Sequence, residues 1–478
     1  MTSLFPNMAM VPTRRRTCAR DSLLARFSNK MEVNLSLNRQ LVSFQANREV
    51  PFYAWFKYKE GFSASLVEYF LAKLTDKPGT LLDPFAGAGS ALFAARELGW
   101  NAVGVEVLPV GCHAIDARLA SEHVAPDQFE AAVKKCLNVH FADHASDPDA
   151  LRHIPITAGA FPEHNERDLN GYLAYCRRSF RNPYVKTLLT YAAFCVLEPI
   201  SYTRKDGQYL RWDSRSNRSR GAKDFDKGNI PSFKDAVAAK LFQMLNDLKS
   251  PTLFRTTPTR GSLDIRRGSC LDILPTLDTA SIDLILTSPP YCNRYDYTRT
   301  YALELVFLGC AHHDICSLRQ QMLSCTVENR EKVQSIAAAY DRRGQNQVWK
   351  CATETFQRQY ALHEVLHILE GFRLSGHLNN VNIVKMVRNY FYEMAFVIYE
   401  MARLLRPGGK AVIVNDNVRY AGEEVPVDLI LSDFAEAFGL VTRHIWTLPR
   451  GKGNSSQQMG DHGRTELRKC VYVWEKPR

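Results

Sequence analysis

The sequence predicts an α/β fold built around a mostly parallel sheet. A short apolar strand from Thr80 to Phe85 runs into a glycine-containing turn, a helix that ends at Gly99, and a second strand from Asn101 to Val107. This order of strand, turn, helix and strand is a βαβ unit. Farther along the chain, two prolines stop the apolar run from Ile282 to Thr287, which is typical of a buried strand.

The remaining elements follow from apolar spacing and from breaking residues. The segment GFSASLVEYFLAKL, which begins at Gly61, has apolar residues at helical spacing and is broken by Lys77-Pro78-Gly79. Tyr390 to Leu405 predicts another helix, and KAVIVND, which follows Gly409, predicts a buried strand. CVYVWEK near the C-terminus predicts a last strand, antiparallel and at the edge of the sheet.

Length and composition are those of a globular protein with one large domain and insertions, or with two domains. The chain has 478 residues, of which 45% are hydrophobic, and no run of eighteen apolar residues or signal peptide is recognisable. The twelve cysteines show no CxxC spacing, which indicates reduced thiols in the cytoplasm. A net charge of +11 and a pI of about 9.0 suit a polyanionic partner.

The turn after the first strand is a candidate cofactor site. Asp83-Pro84-Phe85-Ala86-Gly87-Ala88-Gly89 lies at the carboxyl end of that strand, where doubly wound sheets bind ligands. Gly87 and Gly89 allow a tight turn and a close approach of the backbone to a ligand. The Asp83 carboxylate could hold an ammonium group, and Glu106 could accept both hydroxyls of a ribose. The spacing also fits NAD, although the fuller GxGxxG is absent, and a plain β–turn–α corner is the alternative.

The segment Thr287-Ser288-Pro289-Pro290-Tyr291 closes a strand and so lies at the same edge of the sheet. The Ser288 side chain and the Pro289 carbonyl are acceptors that could take the N–H groups of an aromatic amine and free its lone pair. Two prolines rigidify the turn, and Tyr291 offers a π face on which a base can stack.

These segments resemble the motifs of the amino-type DNA methyltransferases, which modify cytosine N4 or adenine N6. The matching motifs are DPFAGAGS, VGVE and TSPPY, and YKEGFSASLVEYFL resembles an additional cofactor motif. RLLRPGGKAVIVND resembles a motif that shapes the base pocket. The resemblance covers more than half of the chain. It implies a Rossmann-like, mostly parallel seven-stranded sheet, S-adenosyl-L-methionine as the cofactor, and a base flipped out of the duplex.

The resemblance also implies further site residues. Phe62 and Ser63 would lie at the methionine end of the cofactor, and Ser269 and Cys270 would lie at its adenine, where the family often has an acid after the glycine. The other cofactor-binding candidates are Asp83, Pro84, Phe85, Gly87, Gly89 and Glu106, and the catalytic candidates are Ser288, Pro289, Pro290 and Tyr291.

The expected reaction is methyl transfer to cytosine N4 in double-stranded DNA, because serine before PPY is typical of N4-cytosine enzymes. Some adenine enzymes carry serine too, so adenine N6 is the alternative. An RNA base methyltransferase and a DNA-binding module with a decayed fold are further alternatives. The intact glycines and SPPY tetrad argue against a decayed fold.

The motifs divide the chain into six segments. They are an N-terminal extension (1–48), a cofactor-binding part of the core (49–125), an insertion that is the candidate target-recognition region (126–255), a catalytic part of the core (256–309), a helical insertion (310–380) and a C-terminal part of the core (381–478). Candidate DNA contacts are Arg204, Lys205, Gln208 and Arg211 in the first insertion and Arg294 after the catalytic motif. The helical insertion is the rival recognition region.

The sequence predicts no metal site and no membrane partner. His363-Glu364-Val365-Leu366-His367 matches HExxH, but the motif is short and no third ligand is evident, so an amphipathic helix is the preferred interpretation. The resemblance implies a cytoplasmic prokaryotic enzyme that binds double-stranded DNA, in restriction–modification or epigenetic marking, with a restriction endonuclease as a possible partner.

Overall fold

The computed structural model describes residues 18–59, 61–145, 150–207, 209–216, 218, 225–250, 260–449 and 467–478. Twelve strands are formed by these residues: β1 (Met31–Val33), β2 (Thr80–Asp83), β3 (Asn101–Glu106), β4 (Thr203–Asp206), β5 (Tyr209–Trp212), β6 (Leu263–Arg267), β7 (Ile282–Thr287), β8 (Leu405–Asp416), β9 (Val418–Tyr420), β10 (Glu423–Val425), β11 (Val441–Thr447) and β12 (Lys469–Glu475).

Helices flank the strands along the described part of the chain, and none of them is long and apolar enough to cross a bilayer. The α-helices are α1 (Cys18–Phe27), α2 (Ala64–Leu74), α3 (Ser90–Glu97), α4 (Pro109–Ser121), α5 (Pro126–Leu137), α6 (Glu163–Ser179), α7 (Pro183–Cys195), α8 (Phe233–Lys249), α9 (Cys270–Ile273), α10 (Tyr297–Thr300), α11 (Ala302–Phe307), α12 (His312–Gln321), α13 (Val333–Arg342), α14 (Asn346–Gln357), α15 (Tyr360–Leu374), α16 (Ile383–Leu404) and α17 (Val427–Ala437).

Eight strands form the central sheet, in the order β1-β11-β12-β8-β7-β2-β3-β6. Five of the seven pairings are parallel, and only β12 runs antiparallel to its neighbours β11 and β8. The predicted α/β class with a mostly parallel sheet is confirmed. The expected strand number of seven was one too low, because Met31–Val33 in the N-terminal extension adds a three-residue strand at one edge.

The expected position of the last strand was wrong. The strand β12 is antiparallel, as predicted, but it lies inside the sheet between β11 and β8. Its side chains from Cys470 to Trp474 are all buried. A continuous apolar run of this kind is typical of a strand covered on both faces, so CVYVW indicated an interior strand rather than an edge.

Both faces of the sheet are covered, and neighbouring residues of each central strand point to opposite sides. Leu81 and Leu284 pack with α2 and α3 in one apolar cluster. Leu82 and Ile285 pack with α16 and α17 in another. Since each face is buried under helices, the carboxyl ends of the strands are the part of the sheet that remains for ligands.

The two predicted insertions form mainly helical layers beside this sheet. In the first, α5 to α8 surround an apolar core that they share with neighbouring parts of the chain, and the same insertion carries the hairpin β4–β5. In the second, α13 to α15 pack against α16. The segment limits given above stay predictions.

Candidate active site

The order of the strands reverses at β2. The strand β3 lies on one side of β2 and the catalytic-motif strand β7 lies on the other. Such a switch point leaves a crevice at the carboxyl ends of the strands, which is where open α/β sheets bind ligands. A hydrogen bond joins these two ends, since the Thr287 hydroxyl donates to Asp83 Oδ1 over 2.6 Å. The cofactor turn and the catalytic turn, which lie about 200 residues apart in the chain, are therefore in direct contact.

A cleft of about 810 Å³ opens at this point. Most of the predicted cofactor-binding residues line it: Phe62, Asp83, Pro84, Phe85, Gly87, Glu106, Ser269 and Cys270. Ser63 and Gly89 are not among the lining residues. The Ser63 hydroxyl caps α2 by accepting from Leu66 N–H, and Gly89 begins α3 with a φ of +81°. These two residues shape the walls of the cleft.

Two buried carboxyl groups, those of Asp83 and Glu106, face the cleft. Burial raises the pKa of Asp83 to about 7, although the Thr287 hydroxyl and the Phe85 N–H stabilise its carboxylate. Burial likewise raises the pKa of Glu106 to about 7. Within the described residues no lysine or arginine forms an ion pair with Asp83. A cationic ligand in the cleft would supply the missing positive charge.

Glu106 holds the cofactor turn in place. Its Oε2 accepts from Gly87 N–H and its Oε1 accepts from Leu108 N–H, both over 2.6 Å. Each carboxylate oxygen can accept a second hydrogen bond, so two adjacent hydroxyl groups of a ligand could still be accepted. The donor and acceptor set therefore fits a molecule that carries a cation at the Asp83 end and a ribose at the Glu106 end.

Gly111 in α4 supports this arrangement from behind. A Cβ atom at Gly111 would lie 2.5 Å from the Gly87 carbonyl oxygen and 2.9 Å from Glu106 Cγ. There is therefore no room for a side chain at this position.

We expect Gly111→Ala to displace the turn at Gly87 and to weaken cofactor binding by about tenfold or more. The added methyl group overpacks the contact between α4 and the turn, which costs about 1–3 kcal/mol. Isothermal titration calorimetry checks this. Gly371→Ala in α15, where a Cβ would meet nothing within 4 Å, is the control and should raise stability by about 1 kcal/mol; equal cofactor affinities in both variants would contradict the expectation.

The catalytic turn forms a wall between two cavities. Ser288 and Pro290 line the cofactor cleft, whereas Tyr291 lines a second cavity of about 620 Å³. The Ser288 hydroxyl donates to the Tyr291 hydroxyl over 3.4 Å across this wall. Pro289 lies between them in the chain and lines neither cavity. Cys292, which follows, is fully buried, and burial raises the pKa of its thiol, so it is not a nucleophile.

Several residues of the cleft were not singled out in the sequence. Among the lining residues, these include Phe44, Tyr58, Gln321, Met322 and Leu323. Tyr58 begins the segment YKEGFSASLVEYFL, so the resemblance contained a signal for it. Gln321 to Leu323 belong to the helical insertion. No local sequence pattern indicates that this insertion returns to the cleft.

The candidate DNA contacts lie in different surroundings. Arg204 is exposed on β4, and Arg211 is half-exposed on β5, 3.4 Å from the Asp206 carboxylate. Gln208 lies outside the described residues. Arg294 has a left-handed backbone with a φ of +69°, and its Nη1 donates to Asn379 Oδ1 over 2.9 Å. Of this set, Arg204 and Arg211 are the side chains that face solvent.

Lys205 does not lie on the surface, contrary to expectation. Its ammonium group forms an ion pair with Glu304 in which the two side chains are 3% and 1% exposed. The ammonium also lies 4.8 Å from the ring centre of Tyr301. Lys205 therefore links the β4–β5 hairpin to the segment that follows the catalytic turn. Its buried ammonium group is not available for a contact with DNA.

We expect Lys205→Met to lower the free energy of unfolding by about 3–5 kcal/mol, because it leaves the Glu304 carboxylate buried and unpaired. Thermal unfolding followed by circular dichroism measures the loss. Arg204→Met, one residue away on the exposed side of the hairpin, should leave the melting temperature unchanged. An unchanged melting temperature in Lys205→Met together with weaker DNA binding would restore the surface role.

The HExxH segment forms part of α15 and makes structural contacts. The Glu364 carboxylate pairs with Arg20 and accepts from the Ala19 N–H at the start of α1. His363 Nε2 contacts the Phe356 carbonyl oxygen. In the described ranges, no group of three or more potential metal ligands is found.

Comparison with known proteins identifies the family, although no protein-family model matches the chain. The chain is 46% identical over 461 residues to the type II methyltransferase M.AvaI of Nostoc sp., which covers 95% of this chain and 93% of that protein. It is 38% identical to the type II methyltransferase M.BsoBI of Geobacillus stearothermophilus, over 94% of this chain and 90% of that protein. A solved structure of the rRNA methyltransferase aviRa from Streptomyces viridochromogenes covers 86% of this chain and 83% of that chain. Its TM-score of 0.27 and 11% identity are too low to bear on fold or function. The near-complete coverage at 38–46% identity shows that the chain belongs to the type II methyltransferases.

Proposed function

We propose that this protein is a site-specific DNA methyltransferase that transfers a methyl group from S-adenosyl-L-methionine to cytosine N4 in double-stranded DNA. The observation that carries the proposal is the contact between the cofactor turn at Asp83 and the catalytic turn at Ser288, through Thr287, at the switch point of the sheet. The type II naming of the relatives supports a role in restriction–modification, with a cognate endonuclease as a partner.

The cofactor would lie in the cleft between β2, β3 and β7. Asp83 would hold its ammonium group, Glu106 would accept its ribose hydroxyls, and Ser269 and Cys270 would contact its adenine. Phe62 would lie at the methionine end. Bound in this way, S-adenosyl-L-methionine supplies an electrophilic methyl group on its sulfonium sulfur.

The residues of the catalytic turn would prepare the amine. The lone pair of an exocyclic amine is delocalised into the aromatic ring, so the nitrogen is a weak nucleophile. The Ser288 hydroxyl and the Pro289 carbonyl would accept its two N–H groups and draw the nitrogen towards sp³ geometry. Tyr291 would stack on the flipped base from the second cavity. Positioning of this kind supplies most of the catalysis for direct transfer.

Phosphate and base contacts would come from the first insertion. Arg204 and Arg211 lie on the two strands of the β4–β5 hairpin, where they could bind phosphates or the edges of bases. Arg294 would contact a phosphate near the flipped base. A net charge of +11 supports binding to a polyanion.

Mass spectrometry of nucleosides tests the proposal. Unmethylated DNA is incubated with the protein and S-adenosyl-L-methionine, digested and analysed, with heat-inactivated protein as the control. The expected product is N4-methylcytosine. N6-methyladenine would retain the cleft and the mechanism but overturn the target base. A methylated base in RNA and in no DNA would overturn the DNA substrate.

A further inference from the structure

The second cavity holds a charged pair that the proposed reaction has not used. Asp416 ends β8 and Lys469 begins β12, so both lie at the same carboxyl edge of the sheet as Tyr291. Lys469 Nζ lies 2.7 Å from Asp416 Oδ2, and both side chains line the cavity. The pair therefore lies on the side of the catalytic turn away from the cofactor cleft, because β8 and β12 flank β7 opposite β2 and β3.

The carboxylate of this pair is the more sheltered partner. Burial raises the pKa of Asp416, while Lys469 and Arg39 act in the opposite direction. Arg39 lines the cavity as well, so two cations face one carboxylate there. One ammonium hydrogen of Lys469 is directed to Asp416, and the other two are available to an acceptor in the cavity.

The two candidate bases, cytosine and adenine, differ in the hydrogen-bonding atoms that these donors would meet. In cytosine, the amine is followed along the Watson–Crick edge by N3 and O2, and both are acceptors. In adenine, the amine is followed by N1, an acceptor, and then by a carbon-bound hydrogen. An ammonium group that matches the second acceptor of cytosine would face an apolar C–H in adenine, and its charge would lack a partner.

We infer that Lys469, held in place by Asp416, is a specificity-determining residue that donates to O2, the second acceptor of the flipped cytosine, while Ser288 binds the amine. The inference rests on the proposed function, because it assumes that the base enters the cavity beside Tyr291. Asp416 orients the ammonium group and offsets its charge, so that a neutral base can enter.

A thermodynamic cycle tests the inference by combining one substitution in the protein with one substitution in the target base. The substrate is a duplex that carries the site modified by the wild-type protein, located by mapping its methylated positions, with cytosine or 2-thiocytosine at the target. Replacing O2 by sulfur, a weaker hydrogen-bond acceptor, should lower kcat/KM of the wild-type protein by about 10-fold beyond the loss in Lys469→Met. Any change in the intrinsic reactivity of the amine is common to both proteins and cancels.

Matched variants separate a contact with the base from damage to the fold. Lys469→Arg retains a donor and should keep most of the sensitivity to the atom at position 2 of the base. Lys410→Met changes a lysine at the opposite end of the same β8–β12 ladder and should behave as wild type. The cofactor dissociation constant and the melting temperature should be the same in all variants that are compared.

The outcomes distinguish the inference from the function on which it rests. Wild-type protein that yields N6-methyladenine overturns the proposed function itself. N4-methylcytosine from the wild type, with an equal loss on 2-thiocytosine in wild type and Lys469→Met, overturns the inference alone. A loss that is confined to proteins with a donor at position 469 supports both.

Discussion

Ser288→Ala is expected to abolish methyl transfer while cofactor binding stays intact. The Ser288 hydroxyl lines the cleft and lies 3.4 Å from the Tyr291 hydroxyl, at the wall between the two cavities. Alanine keeps the backbone of the turn but removes an acceptor that acts on the reacting amine. Removal of one oriented polar group at a reacting centre lowers kcat by about 100-fold to 1000-fold. Single-turnover transfer of a radiolabelled methyl group measures this loss.

The same strand provides the control for this experiment. Ser281 precedes β7 as Ser288 follows it, and its hydroxyl donates to the Asp278 carbonyl oxygen at the exposed opposite edge of the sheet. Ser281→Ala should keep full activity. Isothermal titration calorimetry should give the same cofactor dissociation constant for both variants and for the wild-type protein. Weaker cofactor binding in Ser288→Ala would place this hydroxyl in the cofactor site and not in the base site.

Asp83→Asn is expected to weaken cofactor binding by about 100-fold and to stabilise the protein that lacks cofactor. The amide can still accept from the Thr287 hydroxyl and the Phe85 N–H, so the local structure is retained. The negative charge that would attract an ammonium group is lost, and a hydrogen-bonded charge contact contributes about 1.5–3 kcal/mol. Titration calorimetry measures the affinity, and chemical denaturation measures the stability.

The stability gain depends on pH in a defined direction. Asp83 has a pKa of about 7 in the folded protein and an ordinary pKa near 3.8 when exposed, so folding favours its protonated form. The wild-type protein therefore loses stability as pH rises from about 4 to 7, and Asp83→Asn avoids this loss. At pH 8 the gain should be on the order of 4 kcal/mol.

Cofactor affinity of the wild type should change in the opposite sense. It should fall as pH drops below about 7, because Asp83 becomes protonated. Asp264→Asn, which removes a half-exposed carboxylate paired with Arg266, is the control and should change neither property. A cofactor affinity that is unchanged in Asp83→Asn would contradict the placement of the ammonium group.

The parts of the site that are local in sequence could be predicted, because short-range patterns determine them. The strand Ile282–Thr287 has the predicted limits, and the glycine turn after β2 brings Asp83 and Glu106 to one cleft. Both groups lie at the carboxyl ends of parallel strands, and that edge is shared by all of them.

Other features depended on long-range packing or on a short strand that no apolar alternation indicates. The segment TRKD forms β4, in which Thr203 and Lys205 are buried and Arg204 and Asp206 are exposed. Successive side chains of a strand point to opposite faces, so the position of Lys205 follows only once the strand is known. Asp416 ends the segment RLLRPGGKAVIVND, which resembles a base-pocket motif, but Lys469 lies on another strand 53 residues later, and no sequence pattern places it beside Asp416.

The contact of the first insertion with the core has a consequence for exchanging this candidate recognition region between relatives. Phe56 packs against Phe194 of the insertion with ring centres 4.8 Å apart, and Tyr58 stacks on Tyr301 at 5.3 Å. Together with the Lys205–Glu304 ion pair, these contacts form one continuous core that includes residues before the cofactor turn and after the catalytic turn. A chimaera that receives only residues 126–255 from another methyltransferase would build this core from side chains of two different proteins. The side chains inside and outside the exchanged segment would then no longer be matched in shape and charge. A graft that also carries residues 52–58 and 295–306 would transfer the whole set of contacts as a unit.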